Sequence, residues 1–272
     1  EAVKSMLVRI SLKSFPFGIR ADPTGEKMML LMGDERPKTL RMLVCISKGG
    51  MGEMIRKSIY ETASGMGIEV AQEVCDPEEA GESARCGART VIVRGAGSAG
   101  RFGGLAEAEF ASKVKGSNPD LSVLVMGDLG LNDMDRMMSS GADGMVLDSQ
   151  VAGLPDRMSI LKERLLKGTA VIMADIGKAT RIRLGGEGDR IAALDAELAS
   201  SGTGGKDRYK VVRAEMESIL KSGKDPFLLL GAGASRHLGS MEDLKKTKGA
   251  QPAPKKNPGI ISGTITVDGG PV

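Results

Sequence analysis

The sequence predicts an α/β fold built on a parallel sheet, wound as a (β/α) barrel or as part of one. Apolar strands alternate with helical segments from Phe17 to Leu147, at intervals of about 25–30 residues, which is typical of βαβ units. The strands end in glycine or small polar residues, as the strands of (β/α) barrels do. The length of 272 residues and the 41% hydrophobic content suit one such domain with a small appendage.

Six strands are predicted, each a short apolar run that suits a buried parallel sheet. They cover 17–20, 41–46, 68–74, 90–93, 121–126 and 144–147. Helices are predicted before and between them over 2–14, 53–66, 77–84, 105–114 and 133–140, and a loop over 94–104. Asp76 is expected to cap the helix that begins at Pro77, because proline is favoured at the first helical position.

The pattern changes after residue 150. Helical spacing of apolar residues recurs over 160–166, 190–198 and 210–221, and we interpret these segments as helical decoration. A basic, proline-containing linker over 245–258 leads to a strand over 260–267. We therefore divide the chain into a barrel-like domain (1–185), a helical appendage (186–244) and a terminal linker with its strand (245–272).

Composition excludes several function classes. Aromatic residues make up 3% of the chain and the net charge is +3, which argues against a nucleic-acid partner. Three cysteines and one histidine are too few for a metal site or a disulfide framework. No apolar run approaches a membrane span and no signal peptide is recognisable, so we expect a cytoplasmic protein that acts on a small molecule. The first residue is not Met, and the sequence leaves open whether the chain is a fragment.

The most informative segment is 121–150, LSVLVMGDLGLNDMDRMMSSGADGMVLDSQ. Two buried strands there end in Gly127-Asp128 and in Asp148-Ser149, with a short helix between them. This is the sequence shape of the last two units of many (β/α) barrels, where glycine-rich strand ends and a helix N-terminus hold a phosphate. The glycines also have a plainer reading, as close-packing positions between helix and strand.

Several segments together resemble a known family. They are PFGIR at 16–20, GIEV at 67–70 with PEEA at 77–80, GARTVIVRG at 87–95 with GRFG at 100–103, the segment 121–150, and GTAV to RIRL over 168–184. In order and spacing they resemble the nitronate monooxygenase (2-nitropropane dioxygenase-like) FMN barrels, above all those embedded in polyketide synthases. The enoyl-reductase barrels of fatty-acid synthesis are related. Together these segments span about 60% of the chain.

The resemblance implies FMN-dependent redox chemistry at the C-terminal ends of the strands. It places Arg20, Gly95, Gly127 and Ser149 around the cofactor, with the last two facing its phosphate. It places Arg101 against the substrate, where the family usually carries a histidine proposed as acid or base. Arginine cannot serve as a base near neutral pH, so Arg101 would bind an anion or stabilise developing negative charge. A salt-bridged arginine without a role in catalysis is the other reading.

The phosphate site departs from the family pattern. Asp128 stands where the family has a second glycine, and Asp148 precedes Ser149 where it has Gly-Thr. A carboxylate about 4 Å from a phosphate costs several kcal/mol at an effective dielectric near 20. Either these carboxylates point away, or a cation intervenes, or FMN binding is lost.

The predicted barrel also has too few strands. Six parallel strands leave open edges that must be paired or covered, whereas a closed barrel has eight. We expect the C-terminal strand over 260–267 to cover one edge, or a partner chain or a neighbouring domain to supply the missing piece.

Two other classes remain open. ISGTITVDGG at 261–270 is similar to the C-terminal segment of short-chain dehydrogenases/reductases, and Gly50-Met51-Gly52 faintly resembles their Rossmann turn. That reading implies NAD(P)H and a doubly wound sheet, but the catalytic Tyr-x-x-x-Lys is absent, because Arg213 follows Tyr209 by four. The other class is a non-catalytic structural module of a larger assembly.

Overall fold

The structure is a computed structural model that describes residues 16–22, 37–46, 52–147, 170–175, 178–184, 188–222, 227–228 and 232. Several predicted features lie outside the described residues. They are the helices over 2–14 and 160–166, Gly50 and Met51 of the glycine-rich turn, Asp148, Ser149, the linker and the terminal strand. In the described part of the chain, no helix has the length and apolar character needed to cross a membrane.

The core is a six-stranded parallel sheet. Its strands are β1 (Phe17–Ala21), β2 (Leu40–Cys45), β3 (Glu69–Val74), β4 (Thr90–Arg94), β6 (Ser122–Gly127) and β7 (Gly144–Leu147). They lie side by side in chain order, and every neighbouring pair is parallel. The six predicted strands are thus confirmed, with ends that differ by a residue or so.

Strand order decides between a barrel and a doubly wound sheet. A doubly wound sheet reverses its order at a switch point, which places helices on both faces. Here the order never reverses, and with right-handed crossovers the described helices that connect these strands fall on one face. The sheet curls into a half-barrel, an incomplete (β/α) barrel as predicted. Within the described residues the strand path stays open, and no closed ring of eight strands forms.

Helices connect the strands on the convex face. They are α1 (Glu53–Gly65), α2 (Pro77–Arg85), α3 (Glu107–Ser117) and the short α4 (Met134–Ser139), which follows a 3₁₀ turn. The start of α2 is as predicted, because the Asp76 side chain accepts from the Glu79 amide at 2.7 Å. Helix α3 begins and ends later than predicted.

Strand alternation gives the sheet two different faces. On the convex face, valines of the central strands pack with Phe110, Ala111 and Val114 of α3, all fully buried. On the concave face a smaller apolar cluster lines the half-barrel, formed by Ala71, Ile92 and Met126 with Met42, Val44, Leu124 and Val146. In β1, Phe17 and Ile19 pack with a second cluster on the helix side of the sheet, which includes Tyr60 of α1, so Arg20 belongs to the concave side.

A second, antiparallel sheet was not predicted. Strands β8 (Ala170–Asp175) and β9 (Lys178–Leu184) form a hairpin, and β9 also pairs with β5 (Gly100–Phe102) and β10 (Phe227–Leu228). The loop predicted over 94–104 is therefore wrong in its middle, where β5 forms. The helical segments predicted after residue 150 do not include this hairpin, which lies within the segment 168–184 that resembles the FMN barrels.

The predicted helices of the appendage are present. They are α5 (Gly188–Ser200) and α6 (Gly205–Lys221), which pack through a cluster of Ile191, Val212, Met216 and Ile219. Both helices contact β8. The domain boundaries proposed from the sequence stay predictions.

Candidate functional site at the strand ends

Three charged side chains meet on the concave face, near the C-terminal ends of β1, β3 and β4. Glu73 accepts hydrogen bonds from the guanidinium groups of Arg20 and Arg94. Arg20 Nη2 lies 2.9 Å from Glu73 Oε2, and Arg94 Nη1 lies 2.7 Å from the same oxygen. Arg20 Nε donates to the other carboxylate oxygen, so this pair is bidentate. We call these three residues the arginine cluster.

Strand alternation explains why these charges point inward. Glu73 lies two residues after Ala71 on β3, and Arg94 lies two residues after Ile92 on β4. Both apolar residues belong to the concave cluster, so the charged residues share its face. The cluster thus occupies the last layer of side chains at the mouth of the half-barrel, which is where the active sites of (β/α) barrels lie.

The arginine cluster holds a buried carboxylate in its ionised form. Burial is the largest influence on Glu73 and acts to raise its pKa. The charges of Arg94 and Arg20, with their hydrogen bonds, outweigh burial, so the pKa of Glu73 is lowered from its ordinary value. Two guanidinium groups and one carboxylate leave a net positive charge at the mouth. Arg20 is the exposed member, since 19% of its side chain is accessible against 2% of that of Glu73.

Arg94 also fixes the loop that follows β4. Its Nε donates to the Arg101 carbonyl at 2.8 Å, and its Nη2 donates to the Ala99 carbonyl. Its own carbonyl accepts from the Gly103 amide at 2.9 Å. A single buried arginine therefore connects the ion-pair cluster to β5 and its flanking loop.

Arg101, the predicted catalytic residue, lies on β5. Its backbone pairs with Thr180 of the hairpin, and its Nη2 lies 3.3 Å from Glu79 Oε1 on α2. Glu79 is itself held, because its other carboxylate oxygen accepts from the Cys75 amide at 2.6 Å. The side chain of Arg101 is 11% exposed. The salt-bridged state is therefore what the structure shows, and a role of Arg101 toward a substrate stays a prediction.

The predicted glycines form a small cradle, but it is filled. A Cβ placed on Gly95, Gly97 or Gly127 would lie 2.9, 2.6 or 2.5 Å from the Glu107 side chain. These distances are too short for real Cβ atoms, so only glycine permits the carboxylate to lie there. The Gly97 amide donates to Glu107 Oε1 at 2.7 Å. We call these three glycines the glycine cradle; Glu107, the first residue of α3, supplies its occupant.

The cradle, as the structure shows it, does not fit a flavin phosphate. The amide of Gly97 is already bonded to a carboxylate, and a second acidic residue, the buried Asp128, lies next to Gly97. Each pair of unit like charges at about 4 Å costs ~4 kcal/mol at an effective dielectric near 20. The other predicted phosphate contact, Ser149, lies outside the described residues. In the part of the chain that the structure describes, no three potential ligand side chains are placed to hold a cation there.

The sequence found part of this site. Arg20 is in the arginine cluster, and Gly95 and Gly127 are in the glycine cradle. The backbone carbonyl of Arg101 accepts a hydrogen bond from Arg94 of the arginine cluster. The sequence analysis missed three charged residues, Glu73, Arg94 and Glu107, that organise both halves. A signal existed for the first two, because each is a charged residue on the inward alternation of an otherwise buried strand.

Comparison with known proteins supports the fold. No protein-family model and no curated protein matches the sequence. Among solved structures, FabK from Thermotoga maritima is similar with a TM-score of 0.62 and 16% sequence identity, over 87% of this chain and 79% of FabK. A single-substitution mutant of the same FabK gives a TM-score of 0.58 and 15% identity, over 87% and 78% of the two chains. Likeness at this level of identity shows a shared fold.

Nitroalkane oxidase from Streptomyces ansochromogenes matches a smaller part, 61% of this chain and 60% of the oxidase, at 17% identity. The TM-score of this match is 0.47.

Proposed function

We propose that this chain is a barrel domain of the flavin-dependent oxidoreductase type, which binds a flavin at the C-terminal ends of its strands. The observation that carries the proposal is the arginine cluster at the mouth of the half-barrel. Buried charges are costly, and a site that keeps them in a preorganised arrangement is a candidate for binding or catalysis. The fold shared with FabK and the sequence resemblance to FMN barrels support the same proposal.

The cluster suits the electronic needs of a flavin. A bound flavin would supply the redox chemistry, and its ring gains negative charge on reduction. Arg20 is the member with access to the mouth, and Glu73 and Arg94 hold it in one orientation. A preorganised cation at the place where negative charge develops is an effective form of electrostatic stabilisation. In this proposal Arg20 contacts the cofactor, and Glu73 and Arg94 are positioning residues.

The finer assignment rests on the sequence resemblance. It implies a nitronate or an enoyl thioester as substrate, and a polyketide or fatty-acid synthase as the setting. Arg101 would then bind the anionic part of the substrate, after exchanging its partner Glu79. A partner chain or neighbouring domain would complete the open edge of the sheet.

A structural module is the second candidate, and one observation favours it. Glu107 fills the cradle in which the resemblance places the cofactor's phosphate, and an arginine stands in place of the family's histidine. An NAD(P)H-dependent reductase of the short-chain type would need a doubly wound sheet, in which the strand order reverses. The strand order of this sheet does not reverse, so the structure does not support that alternative.

The deciding experiment is a visible absorption spectrum of the purified protein before and after addition of FMN or riboflavin, followed by reduction. A bound flavin spectrum that bleaches on reduction supports the proposal. A colourless protein that binds neither flavin contradicts it and leaves the structural module. Binding of NADPH without flavin would contradict it in favour of a reductase.

A matched pair of variants tests the role of the cluster. Arg20→Gln is expected to weaken flavin binding about tenfold, equivalent to ~1.4 kcal/mol, because it removes the accessible cation. Arg41→Gln changes an exposed arginine on the neighbouring strand and is expected to leave binding unchanged. Equal effects of the two substitutions would contradict a specific role for Arg20.

A further inference from the structure

The geometry points to Glu107 as a built-in anion that disfavours binding of a cofactor phosphate at this site. We therefore infer that the site prefers an uncharged flavin, such as riboflavin, over FMN. This inference rests on the proposed function for its ligand, but the occupied cradle is a property of the described residues alone.

The first step is that the cradle is shaped for the carboxylate. Its three glycines come from two segments, since Gly95 and Gly97 lie in the loop between β4 and β5, and Gly127 ends β6. Each would clash with the Glu107 side chain if it carried a Cβ. Three close approaches to one side chain are more than packing of a surface glutamate requires.

The second step is that the carboxylate uses the donor a phosphate would need. Backbone N–H groups at glycine-rich strand ends and helix N-termini are the usual partners of a phosphate. Here the Gly97 amide donates to Glu107 Oε1 at 2.7 Å. Glu107 is also the first residue of α3, so its negative charge lies at the positive end of that helix.

The third step is a second acidic residue. The backbone amide and the Cβ of Asp128 lie 3.1 and 3.2 Å from the position of a Cβ on Gly97. A phosphate that displaced Glu107 would lie beside this residue, which is 8% exposed. Both arginines of the arginine cluster are engaged with Glu73. The acidic residues around the cradle therefore disfavour a dianion there.

The experiment compares riboflavin and FMN as probes, by quenching of flavin fluorescence, on the wild-type chain and two alanine variants. The wild type is expected to bind riboflavin at least as tightly as FMN. Glu107→Ala empties the cradle and is expected to shift the ratio of the two dissociation constants toward FMN by about tenfold or more. Glu109→Ala, an exposed residue two positions along the same helix, is expected to leave the ratio unchanged.

A wild-type protein that binds FMN much more tightly than riboflavin overturns the inference, and so does a ratio that Glu107→Ala does not move. If Glu107→Ala does not fold, Glu107→Gln removes the charge while keeping the acceptor for Gly97. It is expected to shift the ratio in the same direction by a smaller factor, and an unchanged ratio overturns the inference.

Inorganic phosphate separates this inference from the proposed function. Phosphate is expected to raise the melting temperature of Glu107→Ala, relative to chloride at equal ionic strength, and to leave wild type and Glu109→Ala unchanged. If no variant binds a flavin but phosphate stabilises Glu107→Ala, the proposed function fails and the assignment of Glu107 stands. If flavins bind but phosphate has no specific effect on Glu107→Ala, the assignment of Glu107 fails and the proposed function stands.

Discussion

Replacing Glu73 by Gln removes the negative charge that lies between two arginines at the mouth of the half-barrel. Arg94 cannot escape to water, since its side chain is 3% exposed, whereas Arg20 is 19% exposed and can turn its guanidinium outward. Breaking a buried pair by removing one partner costs about 3–5 kcal/mol, because a charge is left without compensation. We expect Glu73→Gln to lower the free energy of unfolding by about that amount, mainly by stranding Arg94.

Urea denaturation near pH 7 measures this cost. Glu69→Gln is the matched control, because Glu69 is an exposed residue of the same strand and Gln can still accept from Thr90. The control is expected to change stability by less than about 0.5 kcal/mol. A double variant, Glu73→Gln with Arg94→Met, is expected to recover part of the loss, because no buried charge is then stranded. A cost below about 1 kcal/mol for Glu73→Gln would refute the reasoning.

The pH dependence follows from the direction of the Glu73 pKa. The folded protein holds this pKa below its ordinary value of 4.5. Stability from the ionised carboxylate is therefore fully present above about pH 4.5 and is lost as pH falls through the lower, folded pKa. The difference between wild type and Glu73→Gln should stay constant near neutral pH and shrink in acid. A difference that grows in acid would show that Glu73 is not held as an anion.

Three further predictions concern other residues of the site. Gly103→Ala should lower the free energy of unfolding by about 3 kcal/mol in urea denaturation, because a Cβ there would overlap the Cys75 carbonyl. Gly104→Ala is the control, because a Cβ at that position has open space around it and should leave the stability unchanged. Equal effects of the two substitutions would contradict the close approach at Gly103. Arg101→Met should weaken binding of an anionic substrate in steady-state kinetics, and unchanged turnover and affinity would remove Arg101 from the mechanism. Burial, followed by the Glu73 charge, raises the pKa of Cys45 to about 12, so iodoacetamide should alkylate this thiol only after urea unfolds the protein; labelling of folded protein would contradict that.

The parallel sheet could be predicted because each strand is a local apolar run with its own stop signal. The predicted strand over 144–147 coincides with Gly144–Leu147, and the others differ only at their ends. Strand β5 could not be predicted in this way. It has three residues in a glycine-rich segment, and it becomes a strand by pairing with β9, about eighty positions later in the chain. Its formation depends on a contact that no local pattern records.

The positions of the glycines are easier to predict from the sequence than the charges around them. The resemblance predicts Gly95 and Gly127 around a cofactor, with Gly127 facing its phosphate, and in the structure the protein's own Glu107 side chain approaches both glycines. Glu73 and Arg94 lie in strands that read as apolar. Their inward orientation follows from alternation, and they lie on neighbouring strands. The contact between Glu73 and Arg20 spans β2, so it depends on the curl of the sheet that brings β1 toward β3. A sequence pattern shows on which face of the sheet a side chain lies, but it does not show which residue that side chain contacts.

The two halves of the site carry opposite charge, and this polarity constrains any ligand. The side formed by β1, β3 and β4 presents Arg20 from a cluster with a net positive charge, whereas the side between β4 and β6 has Glu107 in the glycine cradle and the buried Asp128 next to it. A ligand lying across the mouth is stabilised when its electron-rich end faces Arg20 and its uncharged end faces the cradle. A ligand that carries a phosphate on the cradle side meets repulsion of ~4 kcal/mol for each unit pair at about 4 Å. The charges therefore select the orientation of the ligand as well as its class. Glu107→Lys would replace the negative charge in the cradle with a positive one, and it should convert repulsion of phosphate into attraction without altering the arginine cluster.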